Sequence, residues 1–280
     1  MGLVSGKELI RDCVDHGIVA GAFNTTNLET TLGIVAAVEA TGVPTFIQVA
    51  PTNVTISGYE YIEDMVRRRT ADTKVPIALH LDHGRTLEDV AGALGANFTS
   101  IMLDASAYDY EENVRLSAAA KAMCPEDVAL ETELGSIGGK EDDVAPEFAA
   151  MTNPDQAAAF VEATGTDMLA VSVGNVHGYA PDVRIDFDLL RRIQQQCPVP
   201  LVIHGASGLP PENLSALRDY GVVKVNVASD LRNAMIRAFG EAYVANPEEN
   251  SLIKVSTAAV EAITETVVAK IRQLNPGLAS

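Results

Sequence analysis

Short apolar or β-branched runs alternate with longer amphipathic stretches along almost the whole chain, and this alternation restricts the fold more than any other feature. The apolar runs fall at 18–23, 44–49, 77–81, 100–103, 129–133, 168–173, 201–203 and 223–227. Helical periodicity follows each of them, at 28–40, 59–69, 87–94, 110–123, 154–163, 187–196, 211–220 and 231–245. Strand-length runs that each lead into a helix-length stretch predict βα units and therefore a parallel sheet. Eight such units in about 245 residues predict an α/β fold of the (β/α)8 TIM-barrel type, since an open doubly wound sheet seldom needs so many. A last helical stretch at 255–274 predicts an additional C-terminal helix packed outside the barrel. No Gly/Ser/Pro-rich linker or low-complexity tract divides the 280 residues, so the chain reads as a single domain over 1–280.

A barrel sorts its residues by strand end, because ligands and chemistry collect at the carboxyl ends of the strands. Those ends are polar here: Asn24, then Asp82 and His83, Asp104 and Ser106, Glu131 and Glu133, 174–177, 204–207 and 226–229. The opposite ends, such as Lys74-Val-Pro76 and Cys197-Pro-Val-Pro200, are bland. The richest exit is Leu79-His-Leu-Asp-His-Gly84, where an apolar strand runs into two histidines and a carboxylate before a glycine stops it.

The chain has five histidines, and three of them, His83, His177 and His204, each precede a glycine at the exit of the third, sixth or seventh strand. On one barrel face these imidazoles can converge. Three neutral nitrogens with a fourth position left open form the ligand set of a catalytic zinc site. Cobalt or another divalent ion also fits; three unrelated loop histidines are the competing reading. His80 either supports such a site or fills the barrel, and His16 reads as solvated. Asp82 adjoins His83, and although successive strand residues face opposite ways, both can reach a site from a frayed strand end. A carboxylate so placed suits the removal of a proton from a substrate hydroxyl.

Two later exits carry phosphate-type loops. His204-Gly-Ala-Ser-Gly-Leu-Pro-Pro211 follows the seventh strand, and Asn226-Val-Ala-Ser-Asp230 follows the eighth and enters a helix. Glycine allows close backbone approach, and hydroxyls with helix-terminal N–H groups bind anions. Ordinary capping by Ser207 and Ser229 is the competing reading for each taken alone. The connection Leu134-Gly-Ser-Ile-Gly-Gly-Lys-Glu-Asp-Asp143 is longer than a minimal barrel loop and predicts a lid, with Glu141 the carboxylate expected to enter the site on closure.

The balance of charge limits the partners. With 20 basic against 38 acidic residues, the formal net charge is −18, which repels nucleic acid and anionic membrane surfaces. An anionic ligand must then be captured by local donors working against that field. No apolar run approaches the length that spans a membrane. Cys13, Cys124 and Cys197 show neither a CxxC spacing nor a disulfide framework, and the first residues show no targeting pattern, so a cytoplasmic location is expected.

Together these segments resemble the class II, zinc-dependent fructose-bisphosphate and tagatose-bisphosphate aldolases. The resemblance rests on Ala22-Phe-Asn24, Leu79-His-Leu-Asp-His-Gly84, Glu131-Thr-Glu-Leu-Gly135, Gly138-Gly-Lys-Glu-Asp142, Gly174-Asn-Val-His-Gly178, His204-Gly-Ala-Ser207 and Lys224-Val-Asn-Val-Ala-Ser229. It implies a metal-dependent aldolase that cleaves a ketose (bis)phosphate, such as fructose or tagatose 1,6-bisphosphate, to dihydroxyacetone phosphate and an aldehyde through a zinc-stabilised enediolate. By this resemblance His83, His177 and His204 hold Zn2+, Asp82 takes the hydroxyl proton, and Glu141 exchanges the proton at the carbon that becomes nucleophilic. Asp104 and Glu133 line an alternate metal position. Carbonyls of Val176, Gly178 and Gly205 receive a monovalent cation, Na+ or K+. The substrate and its phosphate are met by Asn24, Gly178, Gly205, Ala206, Ser207, Asn226, Val227, Ala228 and Ser229. A homodimer or homotetramer is implied as well.

Two departures from the family pattern leave alternatives open. After the second strand the chain has Ala50-Pro-Thr-Asn53 where relatives commonly place a phosphate-contacting group, and Lys254 is the one basic residue between Ser251 and Glu265, where relatives commonly carry an arginine. A ketose 1-phosphate or other non-bisphosphate ketose is therefore an alternative substrate. A zinc-dependent barrel hydrolase and a Schiff-base aldolase using Lys224 are alternatives of different mechanism, and a regulatory subunit that kept the fold is a third.

Overall fold

Parallel hydrogen bonding carries the chain once around a closed barrel. The computed structural model describes residues 2–55, 57–139, 149–179 and 183–278. In chain order the strands are β1 (Ala20–Asn24), β2 (Thr45–Val49), β3 (Ile77–Gly84), β4 (Ser100–Leu103), β5 (Ala129–Leu134), β6 (Gly138–Gly139), β7 (Met168–Val171), β8 (Val176–His177), β9 (Leu201–Ile203) and β10 (Val222–Val227). The barrel order is β1-β10-β9-β7-β5-β4-β3-β2, and β2 pairs back onto β1. The two remaining strands, β6 and β8, form a separate parallel pair.

The helices are α1 (Gly6–His16), α2 (Leu28–Thr41), α3 (Tyr59–Thr70), α4 (Leu87–Gly95), α5 (Tyr110–Met123), α6 (Pro154–Thr164), α7 (Phe187–Gln196), α8 (Pro211–Ala216), α9 (Ser229–Ala245) and α10 (Leu252–Leu274). Several start where the side chains dictate. Asn27 with Thr30, and Thr86 with Asp89, form reciprocal capping boxes at α2 and α4. Such caps satisfy N–H groups that a helix start leaves orphaned.

The TIM barrel and its outer C-terminal helix are as the alternation predicts, and besides the unpredicted β6–β8 pair there are three differences. The sequence reading missed α1, which Ser5 caps and Gly17 ends in the left-handed conformation. The helix after the seventh barrel strand shortens: α8 stops at Ala216 and a 3-10 turn, Leu217–Tyr220, completes the segment. Strand β3 runs on through Gly84 rather than stopping at Leu81.

Two apolar clusters hold the fold. The larger lies between strands and outer helices and includes Phe23, Ile47, Leu79, Ile101, Leu130, Leu169 and Ile203. The smaller combines Ala22, Phe46, Ala78, Met102 and Met168 from the barrel strands with Leu9, Ile10 and Cys13 from α1. Alternate residues of each strand thus face the two clusters, as the period of two requires. Outer helix α10 buries Ala259, Ile263, Val267, Ile271 and Leu274, a stripe at helical spacing. Just after it, the Asn275 side chain accepts from Val19 N–H at 2.9 Å and donates to Val19 O at 2.9 Å, tying the helix end to the start of β1.

This packing makes α10 part of the cooperative unit. Replacing the fully buried Ile263 by alanine should cost about 2–5 kcal/mol. Urea unfolding should show one transition with a lowered midpoint; an unchanged midpoint would mean that α10 docks without stabilising the barrel.

Candidate active site

The carboxyl ends of the barrel strands gather the polar residues. At β3 the pairing register with β4 shifts between Leu81 and Gly84, and His83 takes φ 48, a left-handed conformation rare for a residue with a side chain. That irregularity breaks the strict alternation of the pleat, so Asp82 and His83 reach the same region although they are neighbours. The cost of holding a non-glycine residue there is of order 1 kcal/mol or more, and such strain clusters at functional positions.

His177 is positioned by the small β6–β8 pair. Gly139 is required in that pair: a Cβ on it would stand 2.3 Å from the His177 carbonyl oxygen. Gly205, at φ 63, packs against the same strand, where a Cβ would meet Val176 O at 2.2 Å. These two close approaches bring Val176, His177 and Gly205 together.

The three histidines converge. Ring centroids lie 4.5 Å apart for His83 and His204, 5.0 Å for His83 and His177, and 6.1 Å for His177 and His204. One ligand atom from each lies within 4.8 Å of the others, and His83, Asp104 and Glu133 form a second set by the same measure. The three histidines named from the sequence thus lie together, and Asp104 and Glu133 lie together with His83.

Hydrogen bonding assigns the imidazole nitrogens. His83 Nδ1 faces Asp104 Oδ2 at 2.8 Å, and His204 Nε2 faces Glu131 Oε1 at 2.6 Å. A carboxylate can only accept, so each outer nitrogen carries a proton, and in the neutral ring that a metal ligand must be, each inner nitrogen then carries the lone pair. The inner pair, His83 Nε2 and His204 Nδ1, stand 2.7 Å apart. Asn226 gives an independent check on His204. Lys224 Nζ donates to Asn226 Oδ1 at 2.7 Å, which turns Asn226 Nδ2 toward Asp82 Oδ1 at 2.9 Å and His204 Nδ1 at 3.1 Å. Two imidazole lone pairs facing at this distance repel unless a cation is shared between them, which is the donor chemistry a divalent metal requires. The residues present fit such an ion.

Asp82 is fully buried beside them. Its Oδ2 accepts from Asn24 Nδ2 at 2.8 Å and Gln48 Nε2 at 3.0 Å, while Oδ1 accepts from Asn226 Nδ2. Gln48 also donates to Asn24 Oδ1 at 2.7 Å, locking both amides. Three neutral N–H donors solvate the carboxylate form.

Beneath this layer lies a buried ionic one. Lys224 Nζ is 2.9 Å from Glu131 Oε2, and His80 Nε2 is 3.5 Å from the same oxygen while its Nδ1 meets Ser100 Oγ at 2.8 Å. His80 thus fills the barrel and supports Glu131 together. Lys224 points inward, as its strand parity predicts, but is engaged by Glu131 and Asn226, which leaves it poorly placed for a Schiff base.

Electrostatics follow from burial and these partners. Burial works to raise Glu131 and Asp104, yet Lys224 and His204 hold Glu131 well below the usual carboxylate range, and the His83 contact does the same for Asp104. Burial, then the charge on Asp104, pushes Glu133 well above that range. His80 and His204 are held low, mainly by burial and then by Lys224 and His83 respectively.

A small cavity beside the histidines is lined by Gly178, Gly205, Ser207, Asn226, Ala228 and Ser229, six of the residues expected at the phosphate. The side chains of Ala206 and Val227 pack in the hydrophobic core, and their backbones lie beside that wall. Asn24 serves Asp82 as described. Glu141 lies outside the described residues. Gln48 was not predicted as a site residue; Glu131 was named only as a polar strand end, and Lys224 only as the nucleophile of the Schiff-base alternative. Gln48 carried a signal, a polar residue at inward parity within an apolar strand, two positions after the inward Phe46.

Comparison with known proteins gives a consistent result. Residues 4–276 match the family model described as fructose-bisphosphate aldolase class-II. A Bacillus subtilis (strain 168) protein named probable fructose-bisphosphate aldolase is 36% identical over 278 residues, 98% of each chain. The Geobacillus stearothermophilus fructose-bisphosphate aldolase is 34% identical over 278 residues, 98% of this chain and 97% of the relative. Among solved structures, the YdjI aldolase from Escherichia coli K12 matches with a TM-score of 0.87 at 30% identity, covering 99% of this chain and 100% of that one.

The titrations predict a stability profile for metal-free protein. Histidines held low in the folded state contribute stability above about pH 6.5 that is lost as pH falls below it. Glu133, held high, acts in the opposite sense: its contribution is full below about pH 4.5 and is lost as pH rises through the folded value. With His80 and His204 opposing Glu133, the urea midpoint should peak near neutrality. Glu133→Gln should flatten the decline on the alkaline side of that peak; an unaltered decline there would contradict the assignment.

Proposed function

The chain belongs to the class-II fructose-bisphosphate aldolase family and is an aldehyde-lyase, and from that premise we propose that it is a metal-dependent aldolase cleaving a ketose (bis)phosphate to dihydroxyacetone phosphate and an aldehyde. The observation that carries this reading is the close approach of two imidazole nitrogens, His83 Nε2 and His204 Nδ1, beside a carboxylate solvated by three amide donors. His83, His177 and His204 would hold zinc, with Asp104 and Glu133 as its alternate position. When bound, the ion supplies electrophilic stabilisation of the charge left as the carbon–carbon bond breaks. Asp82 takes the proton from the hydroxyl of the carbon that becomes the aldehyde. Asn24, Gln48 and Asn226 hold its carboxylate in place for that transfer. Glu141 is retained as the group that exchanges the proton on the nucleophilic carbon. The cavity between Gly178, Ser207 and Ser229 receives the phosphate, and carbonyls of Val176, Gly178 and Gly205 receive Na+ or K+.

A second substrate reading has its own observation. Lys254, the basic residue nearest the place where relatives carry a distal phosphate contact, is exposed and paired with Glu249. The segment after β2 is a 3-10 turn, Pro51–Val54, led by the buried, chemically inert Ala50. A ketose 1-phosphate, which needs no distal grip, suits these features.

The oligomer is proposed on similar grounds. Tyr243 and Val244 end α9, and Leu252 and Ile253 begin α10, each between 68% and 80% exposed. Apolar groups concentrated at a helix junction favour burial against another copy of the chain, and a homodimer or homotetramer in the cytoplasm follows. No described helix is long and apolar enough to cross a membrane. Light scattering should give a dimer or tetramer mass, which Leu252→Glu with Ile253→Glu should lower; a monomeric parent would refute it.

The catalytic reading is checked by cleavage of fructose and tagatose bisphosphates and ketose 1-phosphates before and after chelation. Release of dihydroxyacetone phosphate should vanish with chelator and return with zinc. Asp82→Ala should retain zinc but lose about 10²–10⁴-fold or more in turnover, and His204→Ala should lose the metal. Chelator-resistant cleavage, or full zinc occupancy in His204→Ala, would break the model.

A further inference from the structure

We propose that Arg232 is a phosphate-binding residue of this enzyme, the side chain that supplies positive charge to the phosphate of its substrate; the identity of that substrate rests on the aldolase reading above. The cavity lined by Gly178, Gly205, Ser207 and Ser229 offers backbone groups and two hydroxyls, and Arg232 forms part of the same wall. Among the described residues that line it there is no other arginine or lysine.

Position explains how the side chain gets there. Ser229 is the first residue of α9 and Arg232 lies three residues on, so both occupy one face of the first turn. Side chains on a helix lean toward its N-terminus, which carries the guanidinium back over the Ser229 end. Its Nη2 is shielded from solvent there, in a residue that is otherwise only partly buried. The neighbouring acid Asp230 is itself engaged by the Tyr179 hydroxyl at 2.6 Å and by Lys270 Nζ at 3.1 Å.

Chemistry then favours a phosphate. A dianion entering a chain of net charge −18 is opposed at long range and must be retained by short-range charge. A guanidinium presents a planar fork that matches two phosphate oxygens, which an ammonium cannot reproduce. Arg232 therefore contributes affinity and a preference for a phosphorylated over an unphosphorylated ketose.

The test uses inorganic phosphate as probe with zinc-loaded protein. Calorimetric titration of the parent should show saturable phosphate binding, weakened about tenfold to a hundredfold in Arg232→Gln, with Arg232→Lys intermediate. Zinc content should stay the same in all three. The rise in Tm on adding phosphate should shrink in parallel, whereas a merely structural arginine would lower Tm equally with and without phosphate. Equal phosphate affinity in parent and Arg232→Gln, or no saturable binding by the parent up to tens of millimolar, would overturn the inference. Because the titration needs no turnover, failure to cleave any ketose phosphate would count against the aldolase reading and leave this result to stand or fall by itself.

Discussion

Everything at the active end of the barrel depends on two carboxylate–imidazole contacts, Asp104 to His83 and Glu131 to His204. Each fixes which ring nitrogen is protonated, and so which one faces inward with a lone pair. Such partners commonly matter nearly as much as the ligands, because they set ring orientation and basicity together. Here they come from adjacent strands, β4 and β5, which the barrel closure brings round to β3 and β9.

The buried ionic layer follows from the same need. Glu131 is surrounded by low-dielectric protein, and an unpaired carboxylate there would be costly. Lys224 and His80 meet its second oxygen, and Lys224 also fixes the amide of Asn226. One ammonium thereby connects three functions: it neutralises Glu131, it keeps His204 in one tautomer through Glu131, and through Asn226 it directs an N–H toward Asp82. The lysine that a sequence reader takes for a Schiff-base candidate is better explained by this arrangement.

Much of the fold was legible because strand and helix periods differ and the eight units repeat. The site was legible where one residue type announced itself, as with three histidines each followed by glycine. What stayed hidden depended on closure or on very local geometry. The pairing of Glu131 with His204 joins positions 73 residues apart, and no spacing rule encodes it. The β6–β8 pair has two residues in each strand, too few for any period to register. By contrast, α1 had readable signals in Ser5 and Gly17, and Gln48 was a polar residue inside an apolar run. Both were available in the sequence and missed.

The central claim is that His83 and His204, each oriented by a carboxylate, make a metal site together with His177. It is tested most directly by anomalous diffraction at the zinc edge from crystals of zinc-loaded protein. The account predicts one strong peak bonded to His83 Nε2, His177 and His204 Nδ1, with Asp104 and Glu131 still holding the outer nitrogens. Zinc bound through His204 Nε2, or a peak away from these three rings, would contradict it.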